Sequence, residues 1–329
     1  MERLKTTKDR HKLLRMPEIG AVTKIESELL RGARKYLEEN NFVEVTVPHL
    51  TRATGACENI DTLFGLDFFG ETAYLSQTGQ LYLESLIPLL GNVYCIGSSY
   101  RAEPSVDGRH LTEFTLIEIE LPTDLEGLMN HIEGLVHSMV TTARDGASKE
   151  FQILGIDTKH LKDFPKEFHK ITYTDAVKLL KDHEVKWGDD LKSNHEKFLT
   201  EHFGGPVFIS HYPKAIKFFN MKENAHDPKV VNSTDLLMPG VGESVGAAER
   251  EHVFESVHRR LAESPMLRQL EKRGGSIKDF GWYLEYMKEN GNVQHSGCGI
   301  GLNRVTQFVL SSDDIRTTTP YPQNRESLM

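Results

Sequence analysis

Cysteine is scarce in this chain of 329 residues: the 3 present, Cys57, Cys95 and Cys298, are far apart and form no CxxC pair. Such a set supplies neither a disulfide framework nor a zinc-ligand pattern, so the thiols are expected to be free. Long apolar runs are missing too. No stretch approaches the ~18 consecutive apolar residues of a membrane span, and residues 1–15 are charged where a secretory signal would be apolar. The expected location is cytoplasmic, with no membrane partner. Basic residues are outnumbered, 39 Lys+Arg against 48 Asp+Glu, leaving a net charge of −9. That balance argues against a generic polyanion binder, although a local basic patch remains compatible with it. No tract repeats, which removes solenoid and collagen-like readings. There is no GxxxxGK[ST], and the glycines at 297–301 lack the spacing and βαβ surroundings of a dinucleotide fingerprint. Any nucleotide site is therefore of another type.

What is present suffices for a substantial core, with 38% of residues hydrophobic. Ile19, Val22, Ile25, Leu29, Ala33 and Tyr36/Leu37 recur at helical spacing and predict a long amphipathic helix over 18–37. The β-branched run 42–47 follows and predicts a strand closed by Pro48. Further strands are predicted at 73–76, 93–103, 113–121, 206–210, 215–221 and 230–238. Helices are predicted over Leu125–Met139, near 249–262 and 278–288, and after Gly301, with a glycine-rich turn leading into the last. The polar segment 145–203 reads as a helical insertion, and residues 1–17 as an extension ahead of one domain, 18–329. The hairpin-like grouping gives an α+β class, an antiparallel sheet flanked by helices.

Side chains two apart on a strand share a face. On 113–121, Thr115, Ile117, Ile119 and Leu121 form an apolar face, and Phe114, Leu116, Glu118 and Glu120 form the other. On the preceding strand Ser99, Arg101 and Glu103 share a face. One such ionised face reads most simply as solvated; two, joined by loop 104–112, weaken that reading. The loop offers Arg109 and His110 beside a glycine, a cationic clamp suited to phosphate oxygens. A second constellation, Gly297-Cys298-Gly299-Ile300-Gly301-Leu302-Asn303-Arg304, permits close backbone approach and ends in an arginine. Alone it also fits tight strand-to-helix packing.

Taken in order, these motifs resemble the class II aminoacyl-tRNA synthetases, specifically the catalytic core of the aspartyl/asparaginyl group, over residues 18–322. The helix and strand ending at Pro48 resemble the first, dimer-forming motif, and the second spans Arg101-Ala102-Glu103, Arg109-His110 and Glu113-Phe114. Residues 297–304 resemble the third. The resemblance implies a homodimer that binds ATP and Mg²⁺ and forms an aminoacyl adenylate. It implies that Arg101 holds the substrate carboxylate and α-phosphate, Glu103 reads the adenine amino group, and His110 contacts the γ-phosphate beside Arg109. Adenine would be sandwiched between Phe114 and Arg304, and Arg101, Arg304 and His110 would be the catalytic set. The segment 235–251 is similar to the asparaginyl pattern, which makes Asp235 and Glu243 the implied Mg²⁺ ligands and directs Arg250 to the amino-acid side chain.

The stretch Gln77-Thr78-Gly79-Gln80-Leu81-Tyr82-Leu83-Glu84 selects asparagine over aspartate. Aspartyl enzymes place a lysine where Leu83 stands, whereas Glu84 matches the acid that accepts from a side-chain amide in asparaginyl enzymes. A carboxylate accepts from –NH₂ and repels a second carboxylate. Gln80 lies one helical turn before Glu84 and shares its face. Glu58 matches the acid that binds the α-ammonium, with Gln80 as its companion. Two positions depart from the family: Asn303 stands where an acid is usual, and Pro320-Tyr321-Pro322-Gln323 ends in glutamine in place of arginine. Only 17 residues precede Glu18, too few for the family's anticodon-binding barrel, so an acceptor other than tRNA is expected. The alternatives are an ammonia-using asparagine synthetase acting on aspartate, suggested by the loop Asp107-Gly108-Arg109-His110, a minimal enzyme charging tRNA(Asn), and a non-catalytic regulatory relative.

Overall fold

The computed structural model describes residues 1–52 and 60–328. Helix Pro17–Glu39 starts with proline at its first position, where the missing N–H costs nothing. Its stripe Ile19, Val22, Ile25, Leu29, Ala33 and Leu37 is buried against helix Leu125–Gly146. The Asp124 side chain caps that second helix by accepting from the Gly127 N–H at 2.9 Å. The two helices meet closely at Gly32, where a Cβ would lie 2.5 Å from the Ser138 carbonyl oxygen. Each large apolar side chain fully buried along this contact contributes about 1.5–3 kcal/mol.

Eleven strands are present among the described residues: β1 Val43–Glu44, β2 Leu50–Thr51, β3 Gly65–Phe68, β4 Glu71–Leu75, β5 Val93–Tyr100, β6 Glu113–Leu121, β7 His169–Thr172, β8 Val207–Ser210, β9 Ser233–Met238, β10 Gly242–Glu249 and β11 Ser296–Gly301. Eight form one sheet in the order β1-β5-β6-β11-β10-β9-β8-β7, and β2-β4-β3 form a small second sheet. The centre of the large sheet is antiparallel, as expected, but β1 pairs with β5 and β7 with β8 in parallel. The sheet is therefore mixed, and the connections explain why: parallel neighbours need a long crossover. The chain between β1 and β5 passes through the small sheet and helix Gln80–Glu84, and that between β7 and β8 passes through helices Tyr173–Leu179 and Ser193–Phe203.

One face of the sheet packs on the two long helices through Ile117, Ile119, Leu121, Leu236, Met238, Val245, Ala247 and Ile300. This is the apolar face expected for β6, and it leaves Phe114, Leu116, Glu118 and Glu120 on the opposite side. The segment 145–203 is mostly helical and also carries the edge strand β7. Residues 1–15 fold back onto the domain: Leu4 is buried in the main core, and the buried Arg10 guanidinium donates to the Leu4, Thr319 and Pro320 carbonyls.

Several local expectations differ from what is observed. Of the strand expected over 42–47 only Val43–Glu44 forms, and the strand expected over 93–103 ends at Tyr100, so Arg101 and Glu103 follow it in irregular chain. Residues 297–301, expected as a turn, are strand β11. Residues 215–221, expected as a strand, form the short 3₁₀ turn Lys214–Ile216 and then irregular chain. The helix expected from residue 249 begins only at Phe254, because Gly242–Glu249 is β10. That strand's small residues have weak β propensity, and pairing on both edges overrides it.

Candidate active site

The face of the sheet away from the long helices floors a cavity of about 500 Å³. Glycines alternate along β11 with the strand's own period, so Gly297, Gly299 and Gly301 all look into this side. They stand opposite Glu120, Glu118 and Leu116 of β6. None adopts a left-handed conformation; their role is clearance. A Cβ on Gly297 would lie 1.9 Å from Glu120 Cδ, so glycine there is the condition for the Glu120 carboxylate to exist at that place.

Glu120 is 1% exposed and holds Arg250, whose Nη2 donates to Oε1 at 2.7 Å and whose Nε donates at 3.1 Å. Burial holds Glu120 above the usual carboxylate range against the opposing pull of Arg250. Glu118 accepts from the Gly79 N–H at 2.8 Å and from the Thr78 hydroxyl, and burial outweighs these donors to leave it raised as well. Helix Gln80–Glu84 is anchored by Leu83, which packs with Val47, Ile87, Val93 and Cys95. That seat turns Gln80 and Glu84 together towards β6. Gln80 Nε2 donates to Glu84 Oε1 at 2.5 Å, and the Tyr283 hydroxyl donates to Oε2 at 2.5 Å. Glu84 itself is 0% exposed and does not line the cavity. Direct contact of Glu84 with a substrate was the expectation; in the structure its carboxylate is spent on Gln80 and Tyr283, and Gln80 and Arg250 reach the cavity in its place.

At the other end of the cavity Arg101 lies over the Phe114 ring, 5.1 Å from its centroid. The loop after it is shaped by Asp107, which accepts from the backbone N–H of Arg109 at 2.8 Å and of His110 at 3.1 Å and lies 2.9 Å from His110 Nδ1. Burial would raise Asp107, but these donors hold it below its usual value. The Ile315 N–H donates to the Gly108 carbonyl at 2.7 Å and ties the loop down. Arg109 Nη2 donates to Glu196 Oε2 at 2.9 Å, across to helix Ser193–Phe203. Arg304 reaches the Val241 carbonyl, and burial beside Arg109 lowers its pKa. Glu103 lines the same space.

Asp235 and Glu243 lie on neighbouring strands, and a Cβ on Gly246 would be 3.6 Å from Glu243 Oε1 and 4.0 Å from Asp235 Oδ1. A register shift between Glu243 and Val245 accompanies this convergence. Two carboxylates meeting over a bare glycine fit a hard divalent cation. Lys217 Nζ pairs with Asp235 at 2.8 Å and supplies positive charge at that place. Asn303 is fully engaged: its Oδ1 accepts from the Thr115 N–H at 3.2 Å and its Nδ2 donates to the Thr318 hydroxyl at 3.0 Å. Glu58 lies outside the described residues.

The cavity thus gathers Gln80, Arg101, Glu103, Arg109, His110, Phe114, Asp235, Glu243, Arg250 and Arg304 from the expected set. It adds Glu118, Glu120, Glu196 and Lys217. The first two were visible as the ionised face of β6, whereas Glu196 and Lys217 sit in segments with no motif to mark them.

The model of the tRNA synthetases class II (D, K and N) family matches residues 2–325. The chain belongs to this family. It is 39% identical over 318 residues to the asparagine--tRNA ligase of Pelotomaculum thermopropionicum, covering 95% of this chain and 71% of that protein. The crystal structure of asparaginyl-tRNA synthetase from Pyrococcus horikoshii complexed with asparaginyl-adenylate superposes with a TM-score of 0.88 at 38% identity, covering 97% of this chain and 72% of that one. The Entamoeba histolytica asparaginyl-tRNA synthetase in complex with asparaginyl-adenylate gives 0.84 at 33% identity, covering 98% and 71%. By kinship this class II synthetase is an ATP-dependent, adenylate-forming ligase of the asparaginyl type. No helix among its described residues is long and apolar enough to cross a membrane.

Proposed function

We propose that the chain activates asparagine with ATP, forming asparaginyl-adenylate and releasing pyrophosphate. The observation that carries the amino-acid choice is the charge balance of the cavity's amino-acid end. Gln80, Glu118, Glu120 and Arg250 line it, and its one guanidinium already faces Glu120 at 2.7 Å. A second carboxylate entering there meets no unmatched cation among the described residues, whereas a neutral amide finds both donors and acceptors.

In this reading Glu58 receives the α-ammonium, with Gln80 as its companion. Arg101 orients the substrate carboxylate against the α-phosphate, and Arg109, His110 and Arg304 hold phosphate oxygens. Phe114 and the Arg304 plane offer stacking surfaces for adenine, and Glu103 accepts from its amino group. The carboxylate oxygen attacks the α-phosphorus in line, and the bond from phosphorus to the pyrophosphate oxygen breaks. The protein's part is positioning and stabilisation of charge, with no covalent enzyme intermediate. Asp235 and Glu243 would hold Mg²⁺, which neutralises phosphate charge when bound.

The relatives are named for tRNA, so tRNA heads the acceptors to be tested; a small amine or protein side chain is the other reading. The exposed apolar residues Val43, Leu50, Phe68 and Phe69, just after helix Pro17–Glu39 in sequence or on the small sheet, support a homodimer, which light scattering checks.

Pyrophosphate exchange with each amino acid in turn tests the activation. Asparagine should support exchange and aspartate should not; exchange with aspartate alone overturns the reading in favour of an asparagine synthetase. Labelled asparagine offered to total tRNA and to RNase-treated extract then identifies the acceptor class.

A further inference from the structure

Of the two carboxylates that converge over Gly246, Asp235 is the sealed one, 6% exposed, whereas Glu243 is open to solvent. A desolvated carboxylate needs a cation beside it, and the chain supplies one. Lys217 Nζ donates to Asp235 Oδ2 at 2.8 Å and lies 3.1 Å from Oδ1, so a single ammonium spans both oxygens. The same nitrogen sits 4.0 Å from the centroid of the Tyr212 ring, a further attraction for a cation at that spot. Tyr212 is buried in a cluster with Tyr173, Leu199, Ile209 and Leu237, and its hydroxyl hydrogen-bonds Asp235. The backbone that carries Lys217 is pinned on both sides. Its own N–H donates to the Lys214 carbonyl at 3.3 Å, the Lys214 N–H donates to the Lys229 carbonyl at 2.8 Å, and Arg260 Nη2 donates to the Phe218 carbonyl at 3.1 Å. The four-carbon stem therefore turns about a fixed root, inside the cavity that Arg109 and Arg304 also line.

We propose that Lys217 is a positioning residue that reserves Asp235 for metal-bound nucleotide: its ammonium spans both carboxylate oxygens before ATP is bound, and turns to the phosphate oxygens when ATP enters. The inference rests on the reading of this end of the cavity as the ATP and Mg²⁺ site, and it states how that site is controlled. Asp235 and Glu243 alone would draw a hard divalent cation out of solution ahead of the nucleotide. An ammonium 2.8 Å from Asp235 offsets half of that pair's charge and repels a second cation at the same oxygens. The triphosphate changes the balance, because it brings several negative charges within reach of the lysine stem. A lysine ammonium is a compact point charge with three donors, suited to phosphate oxygens as much as to a carboxylate. Once it turns, Asp235 is left to the metal carried by the same phosphates. No charge is stranded in the exchange: the carboxylate trades an ammonium for a divalent cation, and the ammonium trades a carboxylate for a phosphate. Tyr212, fixed in its own core, holds Asp235 in place while the ionic partner changes.

The test reads Mn²⁺ binding directly, from the electron paramagnetic resonance signal of the free ion, with no nucleotide or amino acid present. Lys217→Met keeps the stem and removes the charge, and it should bind Mn²⁺ at least about tenfold more tightly than the wild type. Adding Asp235→Asn to that variant should abolish the gain, and Lys217→Arg should behave as the wild type does. A merely structural role for Lys217 has the opposite sign, since a loosened site holds metal less well. Equal or weaker Mn²⁺ binding by Lys217→Met therefore overturns the proposal, as does a gain that survives Asp235→Asn. With Mg²⁺ saturating, KM for ATP in pyrophosphate exchange should rise at least about tenfold in Lys217→Met, the loss of a charged hydrogen bond to phosphate; an unchanged KM also overturns the proposal. One measurement does not depend on any variant folding: ATP-free wild type should leave an equimolar addition of Mn²⁺ largely in solution, and tight stoichiometric capture overturns the proposal. Absence of any ATP-dependent exchange by the wild type overturns the ATP reading and the inference with it. The Mn²⁺ titration needs no substrate, so the two failures are told apart.

Discussion

Replacing Gly297 by alanine puts one methyl group where the structure has least room. The new Cβ would lie 1.9 Å from Glu120 Cδ and 2.0 and 2.2 Å from its oxygens. Glu120 cannot swing into solvent, being 1% exposed and held by Arg250 at 2.7 Å. The methyl must therefore separate a buried ion pair, and breaking such pairs costs about 3–5 kcal/mol. For a chain of this size that corresponds to a loss of melting temperature of about 4–7 °C. Gly299→Ala is the internal control: two residues along the same face, its Cβ would meet Leu116 Cδ1 at 3.8 Å, an ordinary contact. Its stability should stay within about 1 kcal/mol of wild type. Its methyl nevertheless rises from the cavity floor, and kcat/KM for asparagine-dependent exchange should fall on the order of tenfold. Circular dichroism melts and pyrophosphate exchange on both variants separate the two effects. Equal melting points for Gly297→Ala and wild type, or equal losses for both variants, would refute the reasoning.

Other perturbations give outcomes of different kinds. Glu196→Gln releases Arg109 from its 2.9 Å pair, and, the pair being part-exposed, KM for ATP should fall about two- to fivefold; a higher KM would show that Glu196 assists binding. Burial pushes Glu26 up to about 7, so between its ordinary range and about 7 the folded state holds that proton more tightly and stability declines as pH rises. Glu26→Gln should therefore melt above wild type at pH 8 and alongside it at pH 4.5, and a gap that ignores pH would count against this. Cys95 and Cys298 are buried, and desolvation beside Glu118 and Glu120 raises both thiols far above their usual range. In a Cys57→Ser background neither should react with DTNB at pH 8 until the protein is unfolded, and rapid stoichiometric labelling of the native protein would contradict that.

Much of the site was legible because it follows strand period and helix spacing. The alternation on 113–121 places Glu118 and Glu120 on one face, and the four-residue step from Gln80 to Glu84 places those two side chains together. Period says which face a residue takes and nothing about depth, which is why Glu84 was read as a substrate contact and is found behind Gln80 and Arg250. The glycines at 297, 299 and 301 misled for a related reason: without side chains they give no strand signal, and they were read as a turn. Their strand is dictated by β6 and β10 on either side. Lys217 and Glu196 carried no local mark at all, since each acquires its meaning from a partner far away in sequence, Asp235 in β9 or Arg109 in the 104–112 loop.

The place of β11 governs how the chain must come together in time. It is the last strand in sequence and lies in the middle of the sheet, between β6 and β10. Until residues 296–301 have been synthesised, β6 and β10 are open edges of two half-sheets, each able to pair with a stranger. Leu4 and Arg10 wait longer still: they are made before every strand of the sheet, yet two of the carbonyls that hold Arg10 belong to Thr319 and Pro320. Folding is therefore dominated by late, distant contacts, the regime of slow collapse to the native state. A ribosome stalled before residue 296 would carry two open half-sheets, and chaperone capture of such nascent chains should cease when β11 emerges.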